Sequence, residues 1–353
     1  MVKKNQCLSR KKIMSIDSQK KIDVFEKYYS KLVNKSSVDT PVVTEHFLNL
    51  GLNAKNPLYA NGILKQVIPG PEESIEEEND FVDDPLCEEK FSPLPKLIHH
   101  YRDRALILCT DRCFIRCRFC FRKRFWYADK RDWIIGADEF AKIANYIQER
   151  AYIKDVILSG GDPLCMPDKK IFEMADALDS IESIDVIRIA SRCLSAEPSR
   201  ITYSFAKNIA RLSEKVWFIS HFNHPAELCD LAKTAISYLR KNGIPILSQT
   251  VLLRGINDDA SVLADLFRKL VALKVKPHYL FHVDPARGNH VFVTGVEKGL
   301  MIMKELRKSL SSICLPDFAI DLPKGGGKIV LSPQLRNGDG EYMNYDGQIF
   351  KYF

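Results

Sequence analysis

The sequence predicts an α/β chain built on a parallel sheet, either open and doubly wound or rolled into a full or partial barrel. Two observations carry this: short apolar runs recur from residue 104 onward, and helical periods fall between them. The runs are ALILC (105–109), VILS (156–159), VIRIAS (186–191), VWFIS (216–220), IPILSQTVLL (244–253) and HYLFHV (278–283). Such continuous apolar segments suit strands buried on both faces. In the first intervening segment Phe140, Ile143, Ala144 and Ile147 stand at i, i+3, i+4 and i+7, the spacing of an amphipathic helix. Similar patterns run through 169–180, 199–212, 226–242, 259–273 and 296–310. In either architecture ligands bind at the carboxyl ends of the strands, so motifs directly after a strand are candidates by position.

Residues 1–95 read as a separate, partly helical or irregular region, with a helix expected over 20–33 and an acidic run near its end. Pro93 and Pro95 close it, since each restricts its predecessor to extended backbone. The expected division is therefore 1–95, a core at 96–315, and a C-terminal loop and tail at 316–353.

With 46% hydrophobic residues in 353, the chain can bury a large core, which excludes a disordered polymer. No apolar run approaches the roughly 18 residues of a membrane-spanning helix, and the basic N-terminus lacks the apolar stretch of a signal peptide. Ten cysteines without secretion point to a reducing, cytoplasmic setting. The formal charge of +7 is unevenly spread. Ten acidic residues and no Lys or Arg lie between Glu72 and Glu89, and ten basic residues with three Asp lie between Arg102 and Arg131. An acidic neighbour disfavours a nucleic-acid surface; the basic block suggests a local anion site.

Cys113, Cys117 and Cys120 form C-x3-C-x2-C directly after the first strand. Three thiolates can hold three irons of a 4Fe–4S cluster and leave the fourth open to a substrate or cofactor. A zinc site completed by Cys109 is less suited, because Cys109 ends an apolar strand and structural zinc sites pair two knuckles. LSGGDPL (158–164) follows the second strand, with glycines that permit close backbone approach. In DLPKGGGK (321–328) three glycines precede Lys328, a flexible loop on which a lysine could swing as a Schiff-base former. The spacing of a P-loop is absent.

The cysteine spacing after the first strand of a (βα)6 pattern resembles the radical S-adenosylmethionine (SAM) superfamily, whose fold is a partial TIM barrel. Together with the lysine loop it resembles the lysine 2,3-aminomutase family, which uses SAM and pyridoxal 5′-phosphate (PLP). The likeness runs from about Asp84 to Lys328 and includes DPLCEEKFSPLPKLIHHYRDRALIL (84–108), CRFCFRKRF (117–125), HFNHP (221–225) and QTVLLRGIND (249–258). It implies cluster ligation by Cys113, Cys117 and Cys120, SAM contacts at Ser159, Gly160, Gly161 and Asp162, and a PLP bond to Lys328. It also implies Tyr101 and Arg104 near the PLP ring and phosphate, Arg122 on the substrate carboxylate through a forked contact, and Asp284 and Asp321 on the ε-ammonium of L-lysine. In that chemistry a 5′-deoxyadenosyl radical takes hydrogen from C3 and the amine moves from C2 to C3, giving β-lysine. An external reductant such as flavodoxin or ferredoxin feeds the cluster, and the partner question includes a homo-oligomer.

Two positions depart from the family pattern. Asp259 stands where zinc-binding members place a ligand, and the chain stops before their cysteine-bearing extension, so no zinc is expected. Phe119 stands where many members carry His. The compact length resembles the branch that supplies β-lysine to elongation factor P, whereas KGGGK looks closer to the free-lysine branch. Other readings are an arginine-type aminomutase, a radical SAM enzyme acting on a macromolecule with a structural Lys328, and a cluster- or zinc-stabilised nucleic-acid-binding protein.

Overall fold

The computed structural model describes residues 42–74, 81–127, 132–338 and 341–351. The helix expected over 20–33 lies outside them. The described N-terminal part opens with two helices, α1 (Glu45–Leu52) and α2 (Pro57–Leu64). Thr44 and Asn56 cap them by accepting from the N–H groups of Phe47 and Leu58, as short polar side chains do at helix starts. Their apolar faces bury Phe47, Leu48, Ile63 and Leu64 against Ile115 and Ala196 of the core.

Nine strands then form one sheet in sequence order: β1 (Leu97–Tyr101), β2 (Arg104–Thr110), β3 (Asp155–Gly160), β4 (Val186–Ala190), β5 (Val216–His221), β6 (Ile246–Leu252), β7 (Lys276–His282), β8 (Asp317–Leu322) and β9 (Gly327–Leu331). Strands β2 to β8 are parallel, and β1 and β9 pair antiparallel at the two edges. The crossovers carry α3 (Ala137–Gln148), α4 (Asp168–Asp179), α5 (Tyr203–Leu212), α6 (Asp230–Lys241), α7 (Ala260–Ala272) and α8 (Val296–Ser309). Because the order never reverses, right-handed crossovers put every helix on one face. The sheet curls into a partial barrel, one of the two architectures expected, and its inner face is free to line a site. Ile107, Val156, Leu158, Ile187, Ile189 and Phe218 are among the fully buried residues of the core.

The six expected strands and six helices are present, with helix starts moved by capping. The period begun at 199 becomes helical at Tyr203, where Thr202 accepts from the N–H of Phe205 at 3.0 Å. Strand β8 is additional. It continues the barrel sheet across the expected boundary at 315/316. The segment expected as a mobile glycine loop is instead a hairpin, with Asp321 paired to Lys328 in register. Gly325 and Gly327 take positive φ values of 76° and 86°, the left-handed backbone that side chains disfavour. A side chain at Gly325 would also strike the Phe91 ring. A small sheet of β10 (Arg336–Gly338), β11 (Glu341–Met343) and β12 (Ile349–Lys351) follows.

Candidate active site

A cavity of about 410 Å³ lies at the carboxyl ends of the barrel strands, running from the cysteine loop after β2 to Lys328 on β9. Cys113, Cys117 and Cys120 all line it. The loop is pinned from the N-terminal side: the N–H groups of Arg116 and Arg118 donate to the carbonyls of Val42 and Gln66, each at 2.8 Å. Burial pushes the Cys113 thiol well above its usual range, with Cys120, Asp162 and Cys117 adding to the push. Burial and then Cys117 push Cys120 up to about 11. Three half-buried thiolates so placed call for a positive centre, and the donor set fits an iron–sulfur cluster. Among the described residues no three His, Cys, Asp or Glu side chains gather as a single metal ion would need. A cluster gives each thiolate its own iron.

The glycines after β3 serve the cysteine loop before any ligand. A Cβ on Gly160 or Gly161 would sit 2.4 Å from the Thr110 carbonyl oxygen or 2.3 Å from that of Arg112. The adjoining N–H groups bind the same carbonyls, Gly161 to Thr110 at 2.5 Å and Asp162 to Arg112 at 2.7 Å. Asp162 ties β3 to β4: its carboxylate accepts from Ser191 Oγ at 2.7 Å, Arg192 N at 2.9 Å and Leu164 N at 3.0 Å. Even so, burial pushes it up to about 6.

Arg122 is buried and aims into the cavity, whereas Lys123 and Arg124 line a smaller cavity beside it. The fork expected for a substrate carboxylate is already taken. Arg122 Nε donates to Glu88 Oε1 at 3.0 Å and Nη2 to the same oxygen at 2.6 Å, while Nη1 donates to Ser159 Oγ at 3.1 Å and the Gly160 carbonyl at 3.2 Å. One Nη2 hydrogen is left, so a ligand carboxylate can receive a single bond rather than a fork. Burial alone would raise Glu88, yet Arg122 and Arg124 hold it below the usual carboxylate range. Removing one partner of such a pair strands the other charge. Glu88→Ala is therefore expected to cost about 3–5 kcal/mol of folding stability, measured by denaturant unfolding; unchanged stability would contradict the pairing.

On the opposite wall Lys328 Nζ lies 2.9 Å and 3.1 Å from the two oxygens of Asp321 and 4.0 Å from the centre of the Phe281 ring. Its backbone N–H donates to the Tyr101 hydroxyl at 2.8 Å, which ties the first and last strands of the open barrel. Asp284, just after β7, makes no side-chain hydrogen bond among the described residues; burial and then the Asp321 carboxylate push it up to about 7. Arg104 stacks its guanidinium 4.0 Å over the Tyr101 ring. Its Nε is buried without a hydrogen-bond partner, as is Arg188 Nη2 on β4, and both residues line the cavity. Orphaned cationic donors there suit a phosphate, so the residues present fit PLP.

The structure brings all thirteen sequence-predicted residues to this one cavity or its immediate wall. It adds Glu88, Arg188 and Arg192 to the lining, with Gln66 and Glu227 behind Arg192, all of which sequence reasoning passed over. Glu88 lay within the matched stretch 84–108 and Glu227 just past HFNHP, but their roles depend on non-local partners. Phe119 packs edge-on to His221, with ring centres 5.8 Å apart. Asp259 caps α7 by accepting from the Ser261 N–H at 2.7 Å. No helix of the described residues is long and apolar enough to cross a membrane.

Residues 107–267 match the Radical SAM superfamily, the class that the partial barrel and its cysteine loop define. The chain is 36% identical over 341 residues to an L-lysine 2,3-aminomutase of Fusobacterium nucleatum, covering 95% of this chain and 78% of that one. It is also 36% identical to the Clostridium subterminale L-lysine 2,3-aminomutase over 87% of this chain and 75% of that one. A glutamate 2,3-aminomutase of Clostridioides difficile is 34% identical over 80% and 67%. The chain belongs to the lysine 2,3-aminomutase family and is a radical SAM aminomutase, an isomerase. Family membership implies a 4Fe–4S cluster, SAM and PLP.

Proposed function

We propose that the chain is an L-lysine 2,3-aminomutase, interconverting L-lysine and β-lysine. The observation that supports this reading is the pair Asp284 and Asp321 beside Lys328. Asp321 pairs with the Lys328 ammonium, and Asp284 shares it at longer range. Once Lys328 is committed to PLP, both carboxylates lose that cation. Two half-buried acids without a cation are costly, and a substrate ammonium restores the balance. The carboxylate side chain of glutamate would deepen the imbalance.

The cluster and SAM supply the hydrogen-abstracting radical, and PLP carries the migrating nitrogen. Cys113, Cys117 and Cys120 hold the cluster, Lys328 holds PLP, and Arg104 with Arg188 neutralises its phosphate. Tyr101 fixes the β9 backbone at Lys328. Arg122 gives one N–H to the substrate carboxylate, and Asp284 and Asp321 take the far ammonium. The substrate is thus held at both ends, so that C3 alone is presented to the radical, in a cavity whose apolar walls exclude water. Ser159 and Asp162 position Arg122 and the β3–β4 turn. An external one-electron donor, flavodoxin- or ferredoxin-like, supplies the electron.

Asp284→Asn is expected to raise KM for L-lysine roughly 100-fold, the loss of one buried charge contact, with PLP binding unchanged. Equal loss of both would assign the residue to the fold. The pH dependence has a definite sign. Ammonium binding needs ionised Asp284, so KM in the parent should rise as pH falls below about 7. A raised carboxylate pKa lowers folding stability as pH rises through the interval between its unfolded and folded values. Asp284→Asn should therefore be more stable than the parent at pH 8 and lose that advantage near pH 4. A variant less stable at both values would contradict a ligand-directed acid.

A further inference from the structure

A second buried polar network backs the cysteine loop, with Arg192 on the cavity wall, and nothing in the proposed substrate chemistry uses it. Arg192, at the turn after β4, is buried, and its Nη1 donates to Cys117 Sγ at 2.7 Å. Its Nη2 donates to Gln66 Oε1 and lies 3.4 Å from Glu227 Oε2. Gln66, on the turn after α2, is fully buried and donates to Glu227 Oε1 at 3.0 Å. Glu227 also accepts from Asn223 N at 3.1 Å, His224 N at 2.9 Å and the Ser195 hydroxyl. The guanidinium lies 5.3 Å from the Phe47 ring centre on α1 and 5.4 Å from that of Phe119 in the cysteine loop. Arg192 Nε has no hydrogen-bond partner.

We infer that Arg192 is a positioning and tuning residue for the iron–sulfur cluster, and that the N-terminal α1–α2 unit builds the pocket that holds it. A simple ion pair would need Glu227 alone at short range. Here the carboxylate closest to Arg192 is saturated by other donors, and the guanidinium spends an N–H on a cluster thiol. Hydrogen bonds and positive charge at a ligating sulfur stabilise the reduced, more negative state and raise the cluster's potential. Burial strengthens the effect, because little water screens it. The N-terminal unit thereby acquires a function: Gln66 and Phe47 fix the group that sets how readily the cluster accepts an electron.

The inference rests on the cysteine assignment and is independent of the substrate. The test is an EPR-monitored redox titration of the anaerobically reconstituted full-length protein without SAM, with iron content measured on the same samples. Arg192→Gln should load iron like the parent and shift the midpoint to more negative values, with Arg192→Lys in between. A full iron load with an unchanged midpoint would overturn the inference. So would an unchanged midpoint with weakened SAM binding, which would assign the guanidinium to the methionyl carboxylate. Should Arg192→Gln fail to retain iron, Gln66→Leu decides: it keeps the charge but loosens its anchor. A smaller shift in the same direction supports the inference, and no shift rejects it. A parent protein that binds no iron would instead fail the cysteine assignment.

Discussion

Lys328→Ala is expected to abolish covalent capture of PLP and to lower aminomutase turnover by roughly 10³-fold or more, the scale of losing an essential nucleophile. The cavity offers no substitute among the described residues, of which Lys328 is the only lysine in its lining. The geometry also explains why the effect should be local. Lys328 sits on a strand, with its N–H on Tyr101 and its neighbour Gly327 folded against that same ring region, so alanine keeps the β8–β9 hairpin. Borohydride reduction followed by peptide mass spectrometry reads the outcome directly. An adduct that persists in the variant at another residue would contradict the assignment. The hairpin changes the picture of a lysine on a swinging loop: movement is confined to the side chain, between Asp321 and the cavity.

Cys120→Ala should remove the other half of the chemistry and leave the first intact. Two thiolates cannot hold the open cluster, so iron content and the cluster's EPR signal should fall to background, and turnover with them, again by about 10³-fold or more. PLP capture at Lys328 should continue, because Lys328 is held by Tyr101 and Asp321 rather than by the cysteine loop. Cys120 lines the cavity rather than the main hydrophobic core, so its removal should leave far-UV circular dichroism unchanged. A variant that keeps its cluster signal would assign the third ligand elsewhere, and one that loses PLP as well would indicate that the two sites fold together.

Much of this was legible because the signals are local. Strands β2 to β7 bury one face under the helices and turn the other to the cavity, yet most residues on both faces are apolar enough to read as runs, and the cysteine spacing is contained in eight residues. Strand β8 was hidden because it lies near the open edge, half-buried, with Asp317 and Asp321 interrupting its apolar residues. Strand β9 was hidden because its glycines read as slack, whereas they meet a tight turn against Phe91. Arg192, Gln66 and Glu227 come from segments far apart in the chain, so no spacing announces them.

The charge pattern was the most misleading feature. The acidic run and the basic block read as separate surfaces, yet three residues of each pair across the two. Glu73 pairs with Arg118 at 2.7 Å, Asp84 with Arg124 at 3.3 Å and Glu88 with Arg122 at 2.6 Å. The basic block thus neutralises the protein's own carboxylates first, and the local anion site narrows to one N–H of Arg122 and the orphaned donors of Arg104 and Arg188.

The central claim is that the two carboxylates at Asp284 and Asp321 select a substrate with a second ammonium group. Its most direct test is anaerobic reconstitution with iron, sulfide, PLP and SAM, followed by incubation under reductant with L-lysine, L-glutamate or L-arginine and analysis of the products. Formation of β-lysine, with no β-amino product from glutamate, is the predicted result. A protein loaded with both cluster and PLP that leaves L-lysine unchanged, or that converts glutamate instead, would contradict it.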